Sequence, residues 1–295
     1  MSKVFVMVEG NFGKVVLIEI HHDLVPQAHR EIHFGYWIGG GQCHGFVGDE
    51  TVVYNNNKSV EINCYQAHNF SLQKSTEPVI MLMLYINETW FDEHFTHHAT
   101  PVIFQKAQLI HTDEMKAKCW NLIQKILLIK EQNSSITEYA VLKLVQSTID
   151  GNIALTKPSS NAVRRKMLDY RLRMALNLIH ENMRQPHLMQ DLAKLVGVSR
   201  SRLYKLFKNE LQSTPKLILN GILLDIAIKH MTETKDNMTT ISKQLGFSTL
   251  ANFSRFFRSH KGLAPSSYRK ICMSVSSKQA RTIYSENNDN YIDIK

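Results

Sequence analysis

The sequence contains no Cys-x-x-Cys pair. Its four cysteines, Cys43, Cys64, Cys119 and Cys272, are scattered, which argues against a zinc ribbon and a disulfide framework and fits a reducing cytoplasm. Long apolar runs are also missing: the longest, Val79 to Ile86, is far too short to cross a bilayer. No charged N-terminal region leads into an apolar stretch, so neither export nor membrane attachment is expected. Acidic residues are scarce in one half only. Residues 164–295 carry 10 Asp+Glu against 23 Lys+Arg, whereas residues 1–163 carry 16 against 12. The net charge of +9 therefore belongs to the C-terminal part. That charge fits a footprint for nucleic-acid phosphates and, equally, a solvated basic surface.

What is present divides into two kinds of pattern. Up to about residue 100, short β-branched or aromatic runs (VFVMV, VVLIEI, IHFGYWI, TVVY, SVEINCY, VIMLMLY) alternate with GNFG, GGG, GD and NNN, the turn chemistry expected between strands of a barrel or sandwich. From about Gln108 the period lengthens. Met115, Cys119, Leu122, Ile126 and Ile129 recur at steps of four and three, which predicts a helix that either packs on the β domain or forms a dimer seam. A second helix is expected from Ile136 to Ile149. Residues 151–166 gather Gly, Pro, Ser and Asn and read as a linker, and residues 272–295 as a flexible tail. The resulting expectation is an α+β chain: an effector-binding and dimerisation domain over 1–150 and an all-α domain over 167–271.

The basic half contains an internal repeat. Leu192 to Lys208 aligns with Ile241 to Arg258, Gly197 with Gly246, Ser199 with Ser248, and, after one extra residue, Lys205 with Arg255 and Phe207 with Phe257. Each copy reads as a short helix, a glycine suited to positive φ, a capping serine and a second helix, which is helix-turn-helix grammar. Small residues, Ala193 and Ser242, stand where the two helices of each unit must cross. Within the second helices, Leu203, Leu206 and Phe207, or Phe253, Phe256 and Phe257, share one face that must be buried. The outward set is then Ser201, Arg202, Tyr204 and Lys205 in the first copy and Leu250, Ala251, Ser254 and Arg255 in the second. These are candidates for reading base edges in the major groove. Ser199, Arg200, Lys208, Thr239, Thr240, Ser248 and Arg258 flank the helix ends and are candidates for phosphate contacts.

With these residues in view, the sequence resembles the AraC/XylS family of transcription regulators. Ile241 to Ser248, Phe253 to Arg258 and Gly262 to Arg269 follow that family's signature closely, and Asp191 to Ser199 with Leu203 to Lys208 adds the first unit. The resemblance covers roughly Leu168 to Lys270. It implies a seven-helix domain whose central helix, about Thr214 to Met231, sets two recognition helices into adjacent major grooves, about 34 Å apart. The chain departs from the family pattern at Leu223 and Ile226, where basic residues are usual, and at Gln212, where glycine is usual. These departures point to tighter packing or to a contact with the other domain.

The N-terminal half, through Pro26 to Trp37, Gly48-Asp49 and Tyr65 to His68, resembles more loosely the cupin-type β-barrel sensor of such regulators. The resemblance implies a small-molecule effector, with His29, His33, Tyr36, Trp37 and His68 as pocket candidates, and a helical dimerisation segment after the barrel. Ten of the fourteen histidines lie in residues 1–163, which raises the alternative of a cupin metalloenzyme with His29, His33 and His68 ligating a metal through imidazole nitrogens. Against it, cupin metal sites use a His-x-His pair with a Glu, whereas His29 and His33 are four apart with no Glu following at that distance. No metal, cofactor or catalytic residue is therefore expected. A non-specific architectural DNA binder is a second alternative, disfavoured by the differing outward sets of the two units. The expected partners are double-stranded DNA, an effector, RNA polymerase and a second copy of the chain, the expected role is activation, and the expected location is the cytoplasm.

Overall fold

The computed structural model describes residues 2–72, 77–95, 104, 106–128, 134–155, 168–182 and 188–276. Two sheets build the N-terminal half. The larger has the order β1 (Lys3–Gly10), β2 (Gly13–Ile20), β9 (Val79–Ile86), β4 (Ile32–Gly40), β7 (Lys58–Ile62) and β10 (Gln108–Ile110). The smaller orders β3 (Leu24–Gln27), β8 (His68–Leu72), β5 (Cys43–Val47) and β6 (Glu50–Tyr54). All paired strands are antiparallel. Helices α1 (Glu88–Phe95), α2 (Asp113–Leu128) and α3 (Ser134–Leu155) follow.

Strand alternation assigns the layers. Val15, Leu17, Phe34, Tyr36, Leu82 and Leu84 face α1, α2 and α3 in one core, whereas Val60, Ile62, Val79 and Met81 turn to the opposite face and meet the smaller sheet in another. The smaller sheet does not cover that second face completely. Beside it, Met7 and Val16 are packed against the C-terminal helices instead.

Those helices are α4 (Tyr170–Asn182), α5 (Leu188–Leu195), α6 (Arg200–Leu211), α7 (Pro215–Glu233), α8 (Met238–Gln244), α9 (Leu250–Lys261) and α10 (Pro265–Ser276). Among the described residues, seven helices thus stand where the resemblance implied seven. The long central α7 starts with Thr214 as N-cap and Pro215 in its first turn, a position where the missing N–H costs nothing. Its residues divide between two cores, Ile218 and Ile222 with the first unit, Leu224, Ala227 and Met231 with the second.

Several expectations shift. Met115, Cys119, Leu122 and Ile126 are buried in the core shared with the large sheet and α3, so this stripe is used within the chain rather than as a dimer seam; Ile129 lies outside the described residues. Helix α3 runs on through Leu155, past the expected boundary at 150, and the remainder of the expected linker, 156–166, lies outside the described residues. Helix α10 continues to Ser276 with Cys272 buried, so the expected tail begins with helix, and 277–295 is not described.

Candidate nucleic-acid interface

Each helix-turn-helix unit is built from local signals. Gly197 has φ +70° and Gly246 φ +81°, the left-handed turn that a Cβ would strain. Ser199 caps α6, its hydroxyl accepting from the Arg202 amide at 3.2 Å. In the second unit the cap is Thr249, not Ser248: Thr249 accepts from the Asn252 amide at 3.1 Å, while Ser248 accepts from the Asn252 side chain. The extra residue in the second turn moves the cap by one. Ala193 and Ser242 are buried at the helix crossings.

The rings set the orientation. Phe207, Phe253 and Phe257 are fully buried, and Phe256 is half-buried against Phe247, with ring centroids 5.1 Å apart. With the rings inward, Ser201, Arg202, Tyr204 and Lys205 on α6 and Leu250, Ala251 and Arg255 on α9 are exposed, and Ser254 is half-buried. The Arg200 guanidinium lies 5.8 Å from the Tyr204 ring centroid, which bridges the phosphate-side and base-side sets. Arg200, Lys208, Arg258, Ser199, Ser248 and Thr239 are exposed and Thr240 is half-buried.

Both recognition helices also meet the β domain. Lys208 forms an ion pair with Asp49, in the turn between β5 and β6. Next to it, Gln66 donates to the Gln212 side chain at 2.5 Å, and Gln212 has φ +48°. A side chain in this left-handed position is costly, and here it provides the bridge that glycine could not make. Ala251, Ser254, Arg255 and Arg258 of α9 border an open cleft with His22. On α7, Gly221 sits so close to Ala28 that an added Cβ would lie 2.0 Å from the Ala28 carbonyl oxygen. Leu223 and Ile226, the departures from the family pattern, are half-buried and packed in the C-terminal cores, one of which includes Met7 and Val16 of the β domain.

The five effector-pocket candidates do not share one cavity. His29, His33 and His68 cluster, whereas Tyr36 lies on the other face of β4, with its hydroxyl 2.8 Å from that of Thr148 on α3. Trp37 donates its ring N–H to the Gly41 carbonyl. A cavity of about 590 Å³ instead opens between the halves, walled by Val4, Met7, Val16 and Ile18 and by charged Lys14, Glu31, Asp225 and Lys261. Burial opposes the Lys14 charge, but Tyr268, whose hydroxyl is 3.3 Å away, together with Glu9 and Glu31, holds the lysine protonated. Burial and Glu31 push Asp225 up to about 7. Burial and Lys14 lower Lys261. Sequence reasoning missed these residues; the local signal was a lysine near the start of a mostly apolar strand, GKVVLIEI.

Comparison with known proteins agrees with this geometry. Residues 192–271 match the model of a family described as "Helix-turn-helix domain". The chain is 31% identical over 122 residues to the lactose operon transcription activator of Staphylococcus xylosus, covering 41% of this chain and 43% of that protein. It is 29% identical over 97 residues to the raffinose operon transcriptional regulatory protein RafR of Pediococcus pentosaceus, covering 33% and 35%. The chain thus matches less than half the length of either relative. Over nearly its whole length it shares a fold with ToxT from Vibrio cholerae solved with an unsaturated fatty acid bound (TM-score 0.54, 14% identity, 92% of this chain and 95% of that one). Two capped units, their inward rings and the matched region lead to one conclusion: the C-terminal part of this chain is a helix-turn-helix domain.

Proposed function

We propose that the chain is a sequence-specific DNA-binding transcriptional regulator whose DNA-binding half is controlled by a small molecule held by the N-terminal half. The observation that carries the reading is the pair of recognition helices, α6 and α9, each anchored by buried rings and each exposing a different polar set. Different outward residues favour different base steps, which argues against a purely architectural binder. Contacts of Lys208 with Asp49 and of α9 with the cleft at His22 support regulation, since both recognition helices are tied to the β domain. An effector that binds more tightly to one docking arrangement than to another shifts the balance between them.

The cavity between the halves is the best effector site. Its apolar wall and the fatty-acid-bound ToxT of the same fold favour an amphipathic effector. Glu31 and Asp225 offset Lys14 and Lys261, so the head group that fits is polar or zwitterionic rather than a bare anion. Activation through RNA polymerase in the cytoplasm is the mode we assign, in keeping with the similar lactose operon activator. A homodimer would use the outward faces of α2 and α3, which expose Trp120, Leu128, Ile136 and Tyr139. Selection of bound genomic fragments followed by footprinting tests the reading. Two protected blocks one helical turn apart, competed poorly by random duplex, are expected, and a specificity ratio near one overturns it.

A further inference from the structure

Three buried histidines meet at the seam between the two halves. His29 follows β3, His33 lies in β4 and His68 opens β8, so the sheets bring together residues that the sequence separates. Their ring centroids are 4.0 Å apart for His29 and His33, and 5.1 Å from each of these to His68. One ring nitrogen from each lies within 4.8 Å of the other two. All three side chains are at most 6% exposed.

The hydrogen bonds leave these rings in the form that binds a metal. His29 donates through Nδ1 to the Glu31 carboxylate at 3.1 Å, and His68 donates through Nδ1 to the Gln66 carbonyl at 2.9 Å. Each such bond fixes the tautomer and leaves the Nε2 lone pair free, the arrangement usual behind a metal-bound imidazole. Nε2 of His29 and Nε2 of His33 are buried without a hydrogen-bond partner. Packing alone explains buried neutral rings but leaves both nitrogens unsatisfied, whereas one cation satisfies both.

We propose that His29, His33 and His68 form a binding site for a divalent transition ion of the zinc type, with Glu31 and the Gln66 carbonyl orienting two of the ligands. Three imidazoles without a thiolate suit Zn²⁺ and its neighbours, and lack the oxygen set that Ca²⁺ or Mg²⁺ requires. Tetrahedral bonds of 2.0–2.1 Å need nitrogens roughly 3.4 Å apart, against the 4.8 Å within which they lie here. Nearby charges come from β2 (Lys14), the β3–β4 turn (Glu31), α7 (Asp225) and α9 (Lys261); Glu31 favours a cation at the cluster, whereas Lys14 and Lys261 act against it. Tyr85 flanks the cluster, 4.5 Å from the His33 ring.

The ion would join strands of both sheets directly beneath the DNA-binding half, because Ala28, next to His29, is the residue that Gly221 of α7 touches. This site goes beyond the regulatory reading and does not depend on it. The full chain, purified without chelator, is assayed for metals by plasma mass spectrometry, then stripped and titrated with Co²⁺ and Zn²⁺. Expected are about one ion per chain, visible ligand-field bands of low-symmetry Co²⁺, and a Tm that rises with Zn²⁺. His33→Gln and His68→Gln, with folding checked by circular dichroism, should each lose the bands and the Tm response, while His94→Gln, at an exposed position of α1, keeps both. If one of the two glutamine variants does not fold, the other supplies the comparison. The proposal is overturned if the wild-type chain takes up no more Co²⁺ than His68→Gln, or if bands and Tm response persist in either folded cluster variant.

Discussion

Lys208 on the first recognition helix and Asp49 in the β5–β6 turn form an ion pair across the two halves of the molecule. The lysine that would meet a phosphate is therefore engaged by a carboxylate of its own chain. Both groups are more than half exposed, so the pair contributes little to stability, about 0.2–1 kcal/mol. Asp49→Ala should raise affinity for all duplexes about twofold to fivefold, with melting hardly changed. Lys208→Ala should weaken all sequences alike and reduce the salt slope by about one. Binding isotherms at several salt concentrations check both; a sequence-dependent effect of Lys208→Ala would remove its assignment to phosphate.

Arg255 is exposed on α9 among the residues expected to meet base edges. Arg255→Ala should cost about 1–3 kcal/mol at the preferred site and relax one base position. Competition with single-base variants of the selected site measures this. Equal losses on every sequence would move Arg255 to the phosphate-contacting set.

Phe257 is fully buried, 5.4 Å from Tyr268 and 6.0 Å from Phe253 between ring centroids. Phe257→Ala should destabilise the second unit by about 3–5 kcal/mol in urea denaturation. An unchanged transition would contradict the inward orientation of the rings.

Glu61 is fully buried in β7, and burial pushes its pKa up to about 8. In the folded chain the carboxyl keeps a proton that the unfolded chain has already lost. The contribution of Glu61 to stability is therefore most favourable below the ordinary carboxylate range and falls as pH rises from about 4.5 towards 8. Glu61→Gln should remove that slope and stabilise the protein by roughly 2–4 kcal/mol at the upper end of the window. Urea titrations at both ends of the window check it; parallel slopes in wild type and variant would contradict it.

Gly221→Ala would place a Cβ where the Ala28 carbonyl stands. It should push α7 off β3 at a cost of about 1–3 kcal/mol, visible as a larger radius of gyration with helix content preserved. An unchanged radius would mean that the seat of α7 can yield.

The parts legible in the sequence are those fixed by local chemistry. The two glycine turns, the Ser199 cap and the alternation of rings with polar residues all depend on neighbours within a few positions, and they locate α6 and α9 with their outward sets. The strong β-branched runs appear as β1, β2, β4, β6, β7 and β9. Less legible were LVPQ, CHGFV and HNFSL, which are short and interrupted by proline, glycine or polar residues, yet they build most of the smaller sheet. Helix α1 is only 8 residues long and gives too few turns for a period to emerge. The amphipathic stripe of α2 was visible, but what it packs against was not, because a stripe does not name its partner. The three histidines were recognisable as a candidate set, which the spacing rule for cupin metal sites disfavoured. Their convergence depends on the pairing of β3 with β8 and on the packing of the two sheets, and the carboxylate that orients His29 lies between the two histidines of the first pair, where spacing rules do not look for it.

Because the smaller sheet stops short, part of the larger sheet around Met7 and Val16 is roofed by Leu224, Phe253 and their neighbours. Severing the halves would leave two sticky scars, one on each fragment. Such a reader head is not freely interchangeable: grafting it onto a foreign sensor, or expressing it alone, would require repainting that patch with soluble residues, and chimeras made without this change should precipitate.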